Sequence, residues 1–176
     1  VSTGFGSHEL AYWGLRDYLE NRGYQVLIYH PGAIINVKPM GQLSDGYTRF
    51  LVRLKKEVGD RDELSVIAHS KGAILNMATA IKYPDLHRSL VSKNINLGGP
   101  IPQWVNSTIG RWYLGWLDYF GGDDFEMVRL LDSAHVLDRM NFTSIGNLKD
   151  RIIKGRHVGG FIEIEGSHSG MPFNRR

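Results

Sequence analysis

The chain predicts an α/β domain: a mostly parallel sheet of five or six strands flanked by helices, with a helical insert at about 101–139. Three observations lead there. Short β-branched runs alternate with amphipathic stretches over most of the length, the pattern of strands joined by helical crossovers. Glycine or proline closes most of these runs, as at Gly23, Pro31-Gly32, Pro84 and Gly98-Gly99-Pro100. The length of 176 residues suits one domain, and a 42% hydrophobic content is enough to bury a core.

Each element has its own signal. Val1-Ser2 reads as the tail of a strand, followed by a glycine-rich loop, Thr3-Gly4-Phe5-Gly6. Ser7 is a candidate N-cap for a helix running to about Arg22, with Gly23 as its stop. Tyr24 to Tyr29, "YQVLIY", reads as a strand. Leu43, Tyr47, Phe50, Leu51, Leu54 and Val58 fall at helical spacing and predict a helix over 43–58. Leu64 to Ala68 predicts a strand, and Lys71 to about Tyr83 a helix ended by Pro84. Asn94 to Leu97, Met140 to Ile145 and Phe161 to Ile164 complete the strands. Between them, Ile109, Trp112, Tyr113, Trp116, Leu117 and Phe120 form one apolar stripe after Ser107 or Thr108. The stripe fits a helix packed on the core or a cover over an apolar cleft.

Composition narrows the function. The net charge of +3 is small and spread out, and the basic pairs Lys55-Lys56 and Arg175-Arg176 are short. No basic cluster interleaves with stacking aromatics, so nucleic acid is not an expected partner. The chain has no cysteine, which excludes disulfides, thiolate catalysis and cysteine zinc sites. No apolar run approaches the roughly 20 residues that span a bilayer.

The most informative stretch is Val66 to Ile74, "VIAHSKGAI". A serine stands between an apolar strand and a helix, with small residues, Ala68 and Gly72, two places to either side. That is the pattern of a nucleophile elbow, a strained turn that lifts a serine out of a sheet beside a helix N-terminus. A serine hydroxyl needs a base, usually a histidine oriented by a carboxylate. His8 and His30 precede Ser70, and His69 adjoins it with its side chain expected to point away. His87 is expected on the surface and His135 in a helix. His168, in "EIEGSHSGMPF" just beyond a strand, is the leading candidate, with His157 behind it. Asp150 follows the strand "NFTSIG" and is the candidate acid; Asp123, Asp124, Asp132 and Asp138 lie in the insert. Both leading candidates follow strands, and the carboxyl edge of a parallel sheet is where α/β sites form. The amide of Lys71 and that of Phe5, in the glycine-rich loop, are candidate oxyanion donors.

These residues resemble the α/β hydrolase superfamily, in particular small bacterial lipases and esterases whose elbow reads Ala-His-Ser-x-Gly. The resemblance is carried by "GFG" before a helix, "LRDYLENRGYQVLIYHPG", "LSVIAHSKGA", "NINLGGP", "TSIGNLKDRII" and "EIEGSHSGM". It implies a minimal α/β hydrolase fold over 1–176 with a lid-like insert at 101–139. Ser70 would be the nucleophile, Asp150 the acid and His168 the base, with oxyanion donors at Phe5 and Lys71. The resemblance implies cleavage of carboxylic esters, lipid esters among them, with no metal or other cofactor. Trp112, Trp116 and Phe120 are expected to bind or cover the acyl chain, with transient contact at a lipid interface. The resemblance favours secretion, with a cytoplasmic location as the alternative. Two positions depart from the family. Thr3-Gly4 replaces the usual His-Gly, which puts the rigidity of the oxyanion loop in question, and Lys71 would bring positive charge to the cleft mouth. Against the family the chain opens at the end of a strand and lacks a closing helix, so the domain is either minimal or incomplete at both ends. The alternatives are an acyltransferase or thioesterase with the same triad, and a hydrolase-fold binding module without catalysis.

Overall fold

The computed structural model describes residues 1–4, 8–31, 40–59, 62–99, 134–147, 159–165, 167 and 170. Its centre is a parallel sheet of four strands in sequential order: β1 (Ser65–His69), β2 (Lys93–Leu97), β3 (Phe142–Gly146) and β4 (Gly160–Glu163). Ser2 extends the sheet on the other side, bridging in parallel to both Ala68 and Tyr29. Across the sheet the order is therefore Tyr29, Ser2, β1, β2, β3, β4. The chain runs outward from Ser2 to Tyr29 and then returns to β1. This reversal is a topological switch point, where open α/β sheets leave a crevice at the carboxyl ends of their strands.

The helices among the described residues are α1 (Trp13–Glu20), α2 (Met40–Val58), α3 (Lys71–Lys82) and α4 (Pro84–Leu90), with 3-10 turns at Glu9–Tyr12, leading into α1, and at Ala134–Arg139, the end of the expected insert. The apolar stripe of α2 does what its spacing predicts: Leu43, Tyr47, Leu51 and Leu54 are buried. The helix begins a turn earlier than the spacing suggests, at Met40. Helix α3 is buried from Lys71 through Ala80, because it lies between β1 on one side and α2 and α4 on the other. Its small residues Ala73, Ala78 and Ala80 let the three elements approach closely.

Alternation along the strands sets which side chains meet α3. Val66 pairs with Asn94 and Asn94 with Phe142; Ala68 pairs with Asn96 and Asn96 with Ser144. All six are buried. A buried asparagine side chain needs partners, and Asn94 has one in α3. Asn94 accepts from Asn76 Nδ2 of α3 at 3.0 Å, and Asn76 Oδ1 lies 3.1 Å from His87 Nε2 of α4. The imidazole stacks on Phe142 with its ring 6.4 Å away.

Three expectations change here. Residues 24–28 form no strand; Tyr29 alone bridges, its N donating to Val1 O and its O accepting from Thr3 N. Tyr24 and Leu27 are left exposed. Pro84 ends one helix and also opens the next, its fixed φ being suited to a first helical position. His87 is consequently 2% exposed rather than on the surface. The first helix is capped by His8, whose side chain accepts from Leu10 N, and it ends at Glu20, three residues before Gly23 with its φ of +84°. The expected cap, Ser7, lies outside the described residues, as does the insert from 101 to 133.

Candidate active site

Strand β1 delivers the chain to Ser70, which takes φ 51° and ψ −119°. It is the only described residue other than glycine with a positive φ. Such a conformation costs about 1–3 kcal/mol and persists only where neighbours over-determine it. They do so here. The Ser70 amide donates to Leu97 O at the end of β2 (3.1 Å), and the Ser70 carbonyl accepts from Ala73 N (3.0 Å) at the start of α3. The helix thus begins one residue after the strand ends, and the serine is held half-buried at the joint.

Gly72 shows why the pattern needs a small residue there. A Cβ at this position would lie 2.6 Å from Ser2 O and 2.7 Å from Thr3 O. The first turn of α3 passes directly against the backbone that leads into the glycine-rich turn. On the other side of the joint, a Cβ at Gly99 would lie 2.7 Å from the Cβ of Ala73. Lys71, whose amide opens α3, is 4% exposed. Its side chain is therefore buried and does not bring a solvent-facing charge to a cleft mouth.

The turn after Ser2 is held from two sides. Thr3 Oγ1 lies 3.1 Å from His30 Nδ1, at the end of the neighbouring segment. The Gly4 amide donates to Tyr12 Oη at 2.9 Å, and that hydroxyl lies 2.8 Å from His69 Nδ1. Thr3, Gly4, Tyr12 and His69 are all buried. Where the family has His-Gly, Thr3 and Gly4 are thus held by another set of side chains. Sequence reasoning singled out neither Tyr12 nor the use of His30 and His69, because the three lie far apart in the chain and no motif links them.

Strands β3 and β4 run parallel to β1, so all end at the same edge. In sequence, Asp150 comes four residues after Gly146, and His168 five after Glu163. Asp150, His168 and the runner-up His157 lie outside the described residues, as do Phe5, Trp112, Trp116 and Phe120. Of the expected site residues, the structure describes Ser70 and Lys71, side by side at the elbow.

A cavity of about 480 Å³ opens beside Tyr29, His30, Pro31, Leu43, Asp45 and Arg49. It lies two strand positions from β1, roughly 10 Å at ordinary strand spacing, and its lining residues Tyr29 and His30 touch the segment Ser2-Thr3. Burial pushes the Tyr29 phenol above its usual range, with Arg49 partly opposing. Among the described residues, no group of three His, Asp or Glu side chains is disposed to hold a metal ion.

Two solved structures share this architecture. An α/β hydrolase enzyme from the metagenome of lagoon sediments of Mar Chica, Morocco, matches at TM-score 0.54 and 14% identity, over 98% of this chain and 82% of that one. A Bacillus megaterium epoxide hydrolase, solved with an inhibitor, matches at TM-score 0.57 and 14% identity, over 98% of this chain and 87% of that one. No family model matches the chain, and no curated protein matches it in sequence. With the parallel sheet, the switch point beside Ser2 and the strained serine between β1 and α3, the chain has the fold of the α/β hydrolases.

Proposed function

We propose that the chain is a serine hydrolase of carboxylic esters, lipase-like in its preference for acyl esters. The observation that carries this reading is the backbone of Ser70, held at φ 51° between a strand and a helix at the switch point of the sheet. Strain of this kind has no use in packing and has one in displaying a nucleophile.

In the proposed reaction, Ser70 Oγ attacks the ester carbonyl while its proton passes to His168. The amides of Phe5 and Lys71 receive the charge that develops on the carbonyl oxygen. The intermediate collapses to an acyl-enzyme, and the proton on His168 leaves with the alcohol. Water then attacks the acyl-enzyme by the same steps in reverse, returning Ser70 and releasing the acid. Asp150 holds the imidazole in the required tautomer. Trp112, Trp116 and Phe120 would line or cover the acyl chain. Exposed Leu10 and Trp13, just past the glycine-rich turn, support transient contact with a lipid surface.

The test is labelling with a serine-directed fluorophosphonate, beside a panel of p-nitrophenyl esters of increasing chain length, on wild type and Ser70→Ala. Expected are one adduct on Ser70 and ester turnover, with up to about a millionfold loss in the variant. No adduct and no turnover would leave a binding module as the better reading. The bonds that hold Thr3 and Gly4 weigh against one of that module's two grounds, the missing histidine before Gly4, and leave the other, the short chain ends, to the labelling result. A competing alcohol separates an acyltransferase: transfer faster than hydrolysis would assign that activity instead, and a thioester substrate preferred over its ester would assign a thioesterase.

A further inference from the structure

Tyr12 stands at the start of α1, 1% exposed, and its hydroxyl touches two parts of the candidate site that the chain order keeps apart. One is Gly4, in the turn that leads to the proposed oxyanion donor; the other is His69, the residue before Ser70. The hydrogens in this bridge can be assigned by elimination. The Gly4 amide can only donate, so the Tyr12 oxygen accepts from it. The phenolic proton is buried and needs an acceptor, and His69 Nδ1 at 2.8 Å is the one within reach among the described residues. Nδ1 must then carry a lone pair, and His69 is the neutral tautomer with its proton on Nε2.

The backbone supports the same connection. His69 N donates to Ser2 O at 3.1 Å, and Ser2 N donates to Ile67 O at 2.8 Å. These bonds fix the backbone at Ser2, and Thr3 N donates to Tyr29 O at 3.2 Å. Side chains add the Thr3–His30 contact and the Tyr12 bridge, and the Tyr12 bridge ties Gly4 to His69, the residue before Ser70.

We propose that Tyr12 and His69 form a positioning pair for the oxyanion turn, fixing the distance between Gly4 and the elbow in place of the family's usual histidine before the glycine. The inference rests on the serine hydrolase reading, and it deepens it: neither side chain touches substrate, and both act through the placement of the turn. Removing one oxyanion donor costs about 100–1000-fold in kcat, so displacing one by a fraction of an ångström should cost less, about 10–100-fold. Because the pair acts on the transition state, the loss belongs in kcat and not in KM.

The experiment compares wild type with Tyr12→Phe, His69→Ala and the double variant. It reads kcat and KM on a short-chain p-nitrophenyl ester, alongside fluorophosphonate labelling and thermal midpoints. Expected is a kcat loss of about 10–100-fold in each single variant with KM within about twofold, and no further loss in the double, since either change breaks the same bridge. Folded variants with wild-type kcat, or losses that multiply in the double, overturn the proposal. Should a variant not fold, the wild-type protein still decides: NMR must show His69 protonated on Nε2 with the Tyr12 phenolic proton hydrogen-bonded to Nδ1, and the absence of a hydrogen-bonded phenolic proton at Nδ1 refutes the bridge as assigned. Wild type that neither labels nor turns over ester overturns the hydrolase reading, and with it the catalytic sense of the pair; the NMR result reports separately whether the bridge exists.

Discussion

Replacing Gly72 with alanine adds one methyl group at the most crowded point of the elbow. Its Cβ would lie 2.6 Å from Ser2 O, 2.7 Å from Thr3 O and 2.9 Å from Ser2 C, all backbone atoms. Ordinary contact begins near 3.4 Å, so helix and strand must part by about 0.8 Å. Neither side moves freely. Ser2 is bonded to Ile67 and His69, and α3 is anchored by Ser70 O and by buried contacts along its length. Overpacking on this scale costs about 1–3 kcal/mol. The displacement falls on the strand that leads into Thr3-Gly4, and misplacement near 1 Å costs on the order of 100-fold in rate. Gly72→Ala should therefore lose about 1–3 kcal/mol in urea unfolding and about 10–100-fold in kcat/KM on a soluble ester. Gly14→Ala in α1 is the control. Nothing lies within 4 Å of its added methyl, so the same change there should stabilise by about 0.5–1 kcal/mol and leave the rate alone. A Gly72→Ala protein as stable and as active as wild type would refute the close approach, and with it the account of why this turn needs its glycine.

Ser70→Gly should abolish ester turnover yet raise unfolding stability by about 1 kcal/mol over Ser70→Ala, because only glycine relieves the backbone at φ 51°; equal stabilities for the two variants in urea melts would remove the strain argument. His87 is held neutral by burial, its pKa lowered from 6.5 to about 4. The unfolded chain takes up this proton below pH 6.5 and the native imidazole only below about 4, so stability present above pH 6.5 is lost as the pH falls through that window, by about 3 kcal/mol. Unfolding free energies of wild type and His87→Gln, measured from pH 4 to 7, should show that slope in wild type and lose it in the variant. Asp150→Asn should lower kcat on the order of ten-thousandfold with the fold intact by circular dichroism; a much milder loss would point to another acid, such as one in the insert.

The elbow was legible in the sequence because its constraints are local. An apolar run, a serine flanked at two places by Ala68 and Gly72, and a helix without an early proline lie within nine residues, and the strand, strain and close approach all follow. Helix α2 was legible for the same reason, since its buried stripe is written at helical spacing. What was not legible depends on partners distant in the chain. "YQVLIY" has the composition of a strand, but a strand is defined by its ladder, and of these residues Tyr29 is the one that bridges to a neighbour. His87 reads as a surface residue after a proline turn; it is buried with its ring against Asn76 Oδ1, and Asn76 is held in turn by Asn94 of β2. The bridge from Gly4 through Tyr12 to His69 spans 57 residues between its last two members, and no pattern of types or spacings encodes it.

The all-parallel sheet has a consequence for how activity is acquired. No hairpin joins adjacent strands among the described residues; every neighbour arrives by a crossover. The sheet edge that carries Ser70 is held by contacts of long sequence separation, Thr3 to His30, Ser70 to Leu97 and Gly98 to Ile145, which slow folding to about milliseconds to seconds. No isolated segment of the chain is a partial catalyst in waiting: during refolding, turnover should stay at zero until the sheet closes and then return in a single phase with it.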